Sequence, residues 1–178
     1  MNIFRLDDSP EIAASQMCDK HVVKMITESC QLLATCFTLD RLAADDCPRT
    51  MTGRARRHFN PKHPSSLWIL ESSANMHWLV QHTKALLQEK LIRYPSNPPH
   101  FCGAFLQWVE DNINDCIVPD GPSTKFKIAI NQEQLCRQVE GFDSMSATDQ
   151  YKLYYIHDKK RFAKWKVKTP EWFLNGIA

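Results

Sequence analysis

Glycine is scarce in this 178-residue chain, with five residues in all. Between its proline clusters run long stretches of Leu, Ala, Lys, Glu and Gln, a composition that leans helical. No apolar run approaches the roughly 18 residues a membrane span needs, so no membrane partner is expected. The start, Met1 to Asp8, is too short and too charged for a secretory signal. Cysteines number seven, an odd count with no C-x-x-C pair, which fits a reduced cytoplasmic interior better than a disulfide framework. Clustered Cys and His at metal-ligand spacing are missing, and no metal or other cofactor is expected. Also missing are a Gly-rich phosphate loop, a G-x-S-x-G elbow and an H-E-x-x-H helix. These absences remove the common nucleotide-hydrolysing, serine-hydrolase and zinc-protease classes.

What remains is a chain of ordinary globular balance, 43% hydrophobic and 24% charged. Its length suits one helical domain over 1–178, since two halves would each bury a marginal core. Asp8-Ser9-Pro10-Glu11 reads as a helix start after a short extended entry at 2–6. Helical spacing then predicts a helix from Asp19 to Leu42, with Val22, Val23, Ile26, Cys30, Leu33 and Phe37 on its apolar face. A loop over 45–62 leads to a third helix from His63 to Tyr94, its core face made by Leu67, Leu70, Ala74, Trp78 and Leu79. A shorter helix is predicted from Phe101 to Asp115, using Phe105, Leu106, Val109 and Ile113. Residues 117–145 read as irregular or as one short helix near Gln132 to Glu140. Ser146 to Lys166 reads as the last helix, followed by an aromatic tail. The expected architecture is an all-α, single-domain bundle with long loops.

Three constellations could carry chemistry. On the helix from Asp19, the side chains of His21, Lys24, Glu28 and Gln31 share one polar stripe about 15 Å long, with Lys20 beside it. The same stripe can be read as a solvated outer face, with Lys24–Glu28 as a minor i,i+4 pair. At His63-Pro64-Ser65-Ser66, a helix N-terminus preceded by Arg54 and Arg57 could hold a phosphate, or could be an ordinary helix start. In the C-terminal run, Lys160, Lys164 and Trp165, then Trp172, interleave cations with rings that could stack on bases. Tyr151, Tyr155 and Phe162 have helical spacing there, which fits core packing as well. Net charge is only +2, yet two short segments, Arg49–Lys62 and Lys159–Lys168, are rich in basic side chains. If they meet, they form a surface suited to phosphate.

Taken together, Met1-Asn-Ile-Phe4, Cys18-Asp-Lys-His21…Lys24…Glu28…Gln31, His63-Pro64-Ser-Ser-Leu-Trp68 and Phe162-Ala-Lys-Trp165…Pro170-Glu-Trp-Phe173 resemble small, uncharacterised proteins of large tailed phages. These in turn are distantly similar to the pyrimidine-dimer DNA glycosylases of the endonuclease V type. The resemblance implies an all-helical, metal-free fold that flips a nucleotide out of the duplex and attacks its C1′ with an N-terminal amine. It puts Glu28 in place of the glutamate acting at the resulting imine, and His21 in place of a histidine that positions DNA. Trp172 and Phe173 would stand near the aromatic tail that lies against the lesion. Three differences accompany it: Asn2 is too large for ordinary removal of Met1, and Thr27 and Gln31 stand where those glycosylases carry arginines.

The expected function is therefore a phage nucleic-acid-binding protein of the infected host's cytoplasm, acting as a glycosylase on damaged or modified bases. A different class gives the alternative: a non-catalytic binder of a free signalling nucleotide in counter-defence. A third option is an adaptor using the Trp and Phe tail. Self-association is open on all three.

Overall fold

The computed structural model describes residues 2–176, and every regular element among them is helical. Eight α-helices occur in this range: α1 (Pro10–Gln16), α2 (Asp19–Ala34), α3 (Leu39–Ala43), α4 (Pro64–Ile69), α5 (Ser73–Arg93), α6 (Gly103–Asp111), α7 (Ala147–Tyr154) and α8 (Glu171–Asn175). None is long and apolar enough to cross a membrane.

Helix α5 is the axis of the bundle, packed by α1, α2, α4 and α6. Its buried face carries Met76, Leu79, Val80 and Leu86. It also buries Arg93, which ties three elements together. The guanidinium donates to the carbonyls of Met17 and Ser15 and pairs with Asp19 (3.1 Å) and Glu89 (2.7 Å). Helix α1 begins as its sequence dictates, with the Ser9 hydroxyl accepting from Ile12 N and Pro10 in the first turn.

The extended entry at 2–6 is buried rather than peripheral. Ile3, Phe4 and Leu6 are in the core, and the Asn2 side chain donates to Ala129 O (3.1 Å) and accepts from Tyr151 Oη (2.6 Å). Residues 2–6 are thereby held between α2 and α7.

Several helices are shorter than their apolar periodicity predicts. Helix α2 stops at Ala34, not Leu42, because Thr35 Oγ1 bonds back to Leu32 O and Thr38 caps a new helix, α3. The apolar positions Val22, Ile26, Cys30, Leu33 and Phe37 are fully buried, whereas Val23 is exposed. The long run from 63 to 94 is two helices. Ser72 caps α5, and Asn75 Nδ2 takes the Trp68 carbonyl at 2.8 Å, so the chain re-phases between them. Trp68 and Ile69 consequently enter the core and Leu67 faces outward, whereas Leu79 is buried as predicted and Leu70 and Trp78 pack against the core. Helix α6 ends at Asp111, with a 3₁₀ turn following it at Ile113–Asp115. The short helix near 132–140 is a pair of 3₁₀ turns, Leu135–Gln138 and Phe142–Ser144. The helix expected to reach Lys166 closes at Tyr154 and runs into a π turn, Tyr155–Lys159. Within that turn the Asp158 carboxylate accepts from Leu135 N (2.8 Å) and Cys136 N (3.0 Å), which anchors the widened backbone.

All seven cysteines are free thiols, six of them buried. No group of three or more His, Cys, Asp or Glu side chains among the described residues could hold a metal ion.

Candidate functional site

The polar stripe of α2 is split between two cavities. A first cavity of about 420 Å³ is lined by Asn2, Phe4, His21, Lys24, Met25, Glu28, His63, Ala129, Asn131, Tyr154, Lys159 and Phe162. A second, of about 590 Å³, takes Thr27 and Gln31 from the same helix, with Thr50 to Phe59 and Phe101 around it. The two adjoin through the edge-to-face pair of Phe59 and His63, whose ring centres are 5.3 Å apart.

Glu28 is the hub of the first cavity. Its side chain is 12% exposed, its Oε2 accepts from the backbone nitrogen of Asn2 at 3.1 Å, and its Oε1 pairs with Lys24 Nζ at 3.2 Å. Among the described residues, the carboxylate meets the Asn2 and Lys24 nitrogens inside a concave space. The Asn2 side chain, accepting from Tyr151 Oη and donating to Ala129 O, fixes the Asn2 nitrogen.

His21 does not lie on a solvated stripe. It is buried, stacked on Phe4 at 4.3 Å and edge-on to Tyr155 and Phe162, with Nδ1 2.5 Å from Tyr155 Oη. Burial, reinforced by the positive charges of Lys159 and Lys24, drives its pKa down to about 3. It is a neutral ring in the floor of the cavity and brings no charge to a phosphate. Lys20 is exposed, its Nζ 5.4 Å from the Phe162 ring at the rim.

The helix start at His63–Ser65 is already occupied. His63 is the N-cap of α4, and its Nδ1 accepts from Ser65 N at 3.2 Å. Accepting there puts the proton of the neutral ring on Nε2. The Ser65 hydroxyl is fully buried and does not line either cavity. His63 lines the Glu28 cavity, and Ser65 does not.

The basic segments meet only in part. Arg54 and Arg57 line the second cavity together with Gln31. Arg56 is structural, buried with Nε on Pro48 O (3.0 Å) and its plane 3.8 Å from the Phe105 ring. From the C-terminal segment it is Lys159, rather than Lys160 or Lys164, that reaches the Glu28 cavity. The π turn sets that direction, and an α-helical reading of the sequence misses it. Lys160 and Lys164 are exposed, and the Lys164 carbonyl docks α2 by accepting from Asp19 N at 2.8 Å.

The aromatic tail is half-buried and packs over α1. Trp165 Nε1 donates to Gln16 O (3.0 Å) and Trp172 Nε1 to Gln16 Oε1 (2.8 Å). Both rings lie against Tyr155 and Phe173. The stacking platform read from these two residues is thus a clasp over α1. Sequence reasoning did not single out Asn2 as a site member, nor Lys159, Asn131 or Tyr154. For Asn2 the signal was the resemblance, which places a reacting nitrogen at that end of the chain, and for Lys159 it was the basic segment that it opens.

Neither the curated proteins nor the solved structures yield a match to this chain. A family model described as "Pyrimidine dimer DNA glycosylase" matches residues 1–101, which include α1 to α5, Asn2, Lys24 and Glu28. With more than half of its length matched, the chain belongs to the pyrimidine dimer DNA glycosylase family.

Proposed function

We propose that the protein is a DNA glycosylase that extrudes a damaged or modified nucleotide and releases its base in the Glu28 cavity. The observation that carries this reading is the 3.1 Å contact between Asn2 N and Glu28 Oε2 within a concave, cation-rimmed space. Breaking a glycosidic bond builds positive charge at C1′, which a shielded carboxylate stabilises more strongly than one in bulk water. The same carboxylate can move protons between the sugar and the departing base, an effect worth about 10²–10⁴ in rate. Extrusion requires a pocket for the flipped nucleotide and cations for the phosphates on either side. Lys24 and Lys159 supply such cations at the first cavity, and Arg54 and Arg57 at the second. Thr27 and Gln31 leave α2 less basic, so the grip on the backbone falls to the 54–57 loop. The motifs shared with phage proteins support a role in an infected host cell.

The test is base release from duplexes carrying a pyrimidine dimer or a modified pyrimidine, with Glu28→Gln as the control. Release that depends on Glu28, with salt-sensitive binding to the damaged duplex, is expected. Neither release nor a binding preference for damaged DNA at low salt would remove the reading.

A second reading is favoured by one feature: Lys24, Lys159 and His63 surround a single cavity whose size suits one nucleotide. On it the protein holds a free nucleotide without chemistry. A large rise in melting temperature with a mono- or cyclic nucleotide, and none with DNA, is the outcome that selects it.

A further inference from the structure

The most exposed large apolar side chain among the described residues sits at a turn in the 45–62 loop, where Met51 is 77% exposed. That turn is closed by hydrogen bonds. Gly53 N donates to Thr50 O at 2.8 Å, Thr50 N to Arg54 O at 2.9 Å, and Arg54 N to the Thr50 hydroxyl at 3.1 Å. Gly53, at φ +73°, takes the left-handed position that lets the chain reverse there. A single apolar residue on a surface needs no explanation. Met51 differs in its company. From Cys47 to Leu70 the chain has no acidic residue, and Arg54 and Arg57, both exposed, follow the turn. Met51 also lines the second cavity with Thr27 and Gln31, so it stands beside the α2 residues next to Glu28 and one helical turn beyond it.

We propose that Met51 is an apolar wedge that enters the base stack of duplex DNA beside the nucleotide extruded toward Glu28. This rests on the glycosylase reading above and names the residue that opens the stack. Unstacking a base step is unfavourable, and an apolar side chain placed in the gap offsets part of that cost. A methionine side chain is unbranched, flexible and polarizable, so it can pass between two bases and fill the space they leave. Arg54 and Arg57 meet the phosphates beside the opened step, which places the wedge by charge before it enters. The hydrogen-bonded turn then fixes its point of entry relative to α2, and so relative to the Glu28 cavity.

The experiment uses the full chain and a duplex carrying a pyrimidine dimer, with 2-aminopurine, a base whose fluorescence rises on unstacking, placed beside the lesion. Binding of the unaltered protein is expected to raise that fluorescence. Met51→Ser is expected to lose most of the rise and to slow single-turnover base release by about tenfold or more. On the same lesion in an unpaired loop, where no stack has to be opened, its release stays within about threefold of the unaltered protein. Met51→Leu, apolar and of similar volume, restores both readouts. Melting temperatures stay unchanged, because the side chain is exposed. Ile92→Ser, which removes another exposed apolar side chain from the last turn of α5, changes neither readout. The wedge is overturned, with the glycosylase reading intact, by any of four results: no fluorescence rise with the unaltered protein, an undiminished rise in Met51→Ser, equal loss of release on paired and unpaired lesions, or a Met51→Leu as impaired as Met51→Ser. Absence of base release by the unaltered protein removes the glycosylase reading instead, and the fluorescence of the two Met51 variants then decides the wedge alone.

Discussion

Asn2 and Glu28 lie 26 positions apart, yet the backbone nitrogen of the one rests 3.1 Å from the carboxylate of the other. The contact is held from the far half of the chain. Tyr151 Oη donates to Asn2 Oδ1, and Ala129 both accepts from Asn2 Nδ2 and donates through its own N–H to Tyr151 Oη. Residues 129 and 151 lie beyond the matched span of 1–101, so this chain's C-terminal half fixes a geometry that belongs to its N-terminal half.

Replacing Glu28 by Gln keeps the shape and removes the charge. Base release should fall by about 100-fold or more, with affinity for damaged duplex changed only a few fold. Single-turnover kinetics beside an equilibrium binding curve separates the two. A loss confined to binding would contradict the chemical role.

Acid should destabilise the fold through two buried histidines. Burial lowers the pKa of His21 to about 3 and that of His82 to about 4. Below the unfolded value of roughly 6.5, the unfolded chain takes up protons that the folded one refuses, so stability falls as pH falls. Each histidine then contributes a slope of about 1.4 kcal/mol per pH unit between roughly pH 6 and pH 4. Denaturant titrations across that window should show the slope, and His21→Phe should flatten it by about half.

Arg93 has no exposed side-chain surface and two carboxylate partners. Arg93→Ala removes the guanidinium from Asp19, Glu89 and the carbonyls of Met17 and Ser15. The expected loss is about 3–5 kcal/mol, read as a lowered midpoint in urea. A change under 1 kcal/mol would mean that water replaces the guanidinium without penalty.

Lys159 and Lys164 are both basic, but only Lys159 lines the Glu28 cavity. Lys159→Gln should weaken DNA binding and reduce the salt dependence by about one phosphate contact. Lys164→Gln should do neither to the same degree. Equal effects from the two would favour a diffuse basic surface over a built site.

Trp172 is a clasp on Gln16, so Trp172→Phe should lower the melting temperature by a few degrees through the lost indole hydrogen bond. Affinity for damaged DNA should follow only as the fold weakens. A selective loss of affinity at full stability would return the ring to the substrate.

The sequence by itself determined the helical class, the entry of α1 through Ser9 and Pro10, and the apolar face of α2 made by Val22, Ile26, Cys30 and Leu33. Those features depend on local capping and a 3.6-residue period, which neighbouring residues encode. It also brought His21, Lys24 and Glu28 onto one side of one helix, because their spacing fixes it. What it left undecided depends on partners distant along the chain. The break before α5 needs Asn75 to take a carbonyl from Trp68, and the π turn that aims Lys159 needs Asp158 to accept from residues 135 and 136. Whether His21 is charged or buried depends on Phe4, Tyr155 and Phe162 closing around it. The tryptophans of the tail were legible as rings, but only tertiary packing made them a clasp, since a half-buried indole N–H seeks an acceptor and Gln16 provides both. Periodicity says which residues share a face; the contacts of the folded chain decide what that face meets.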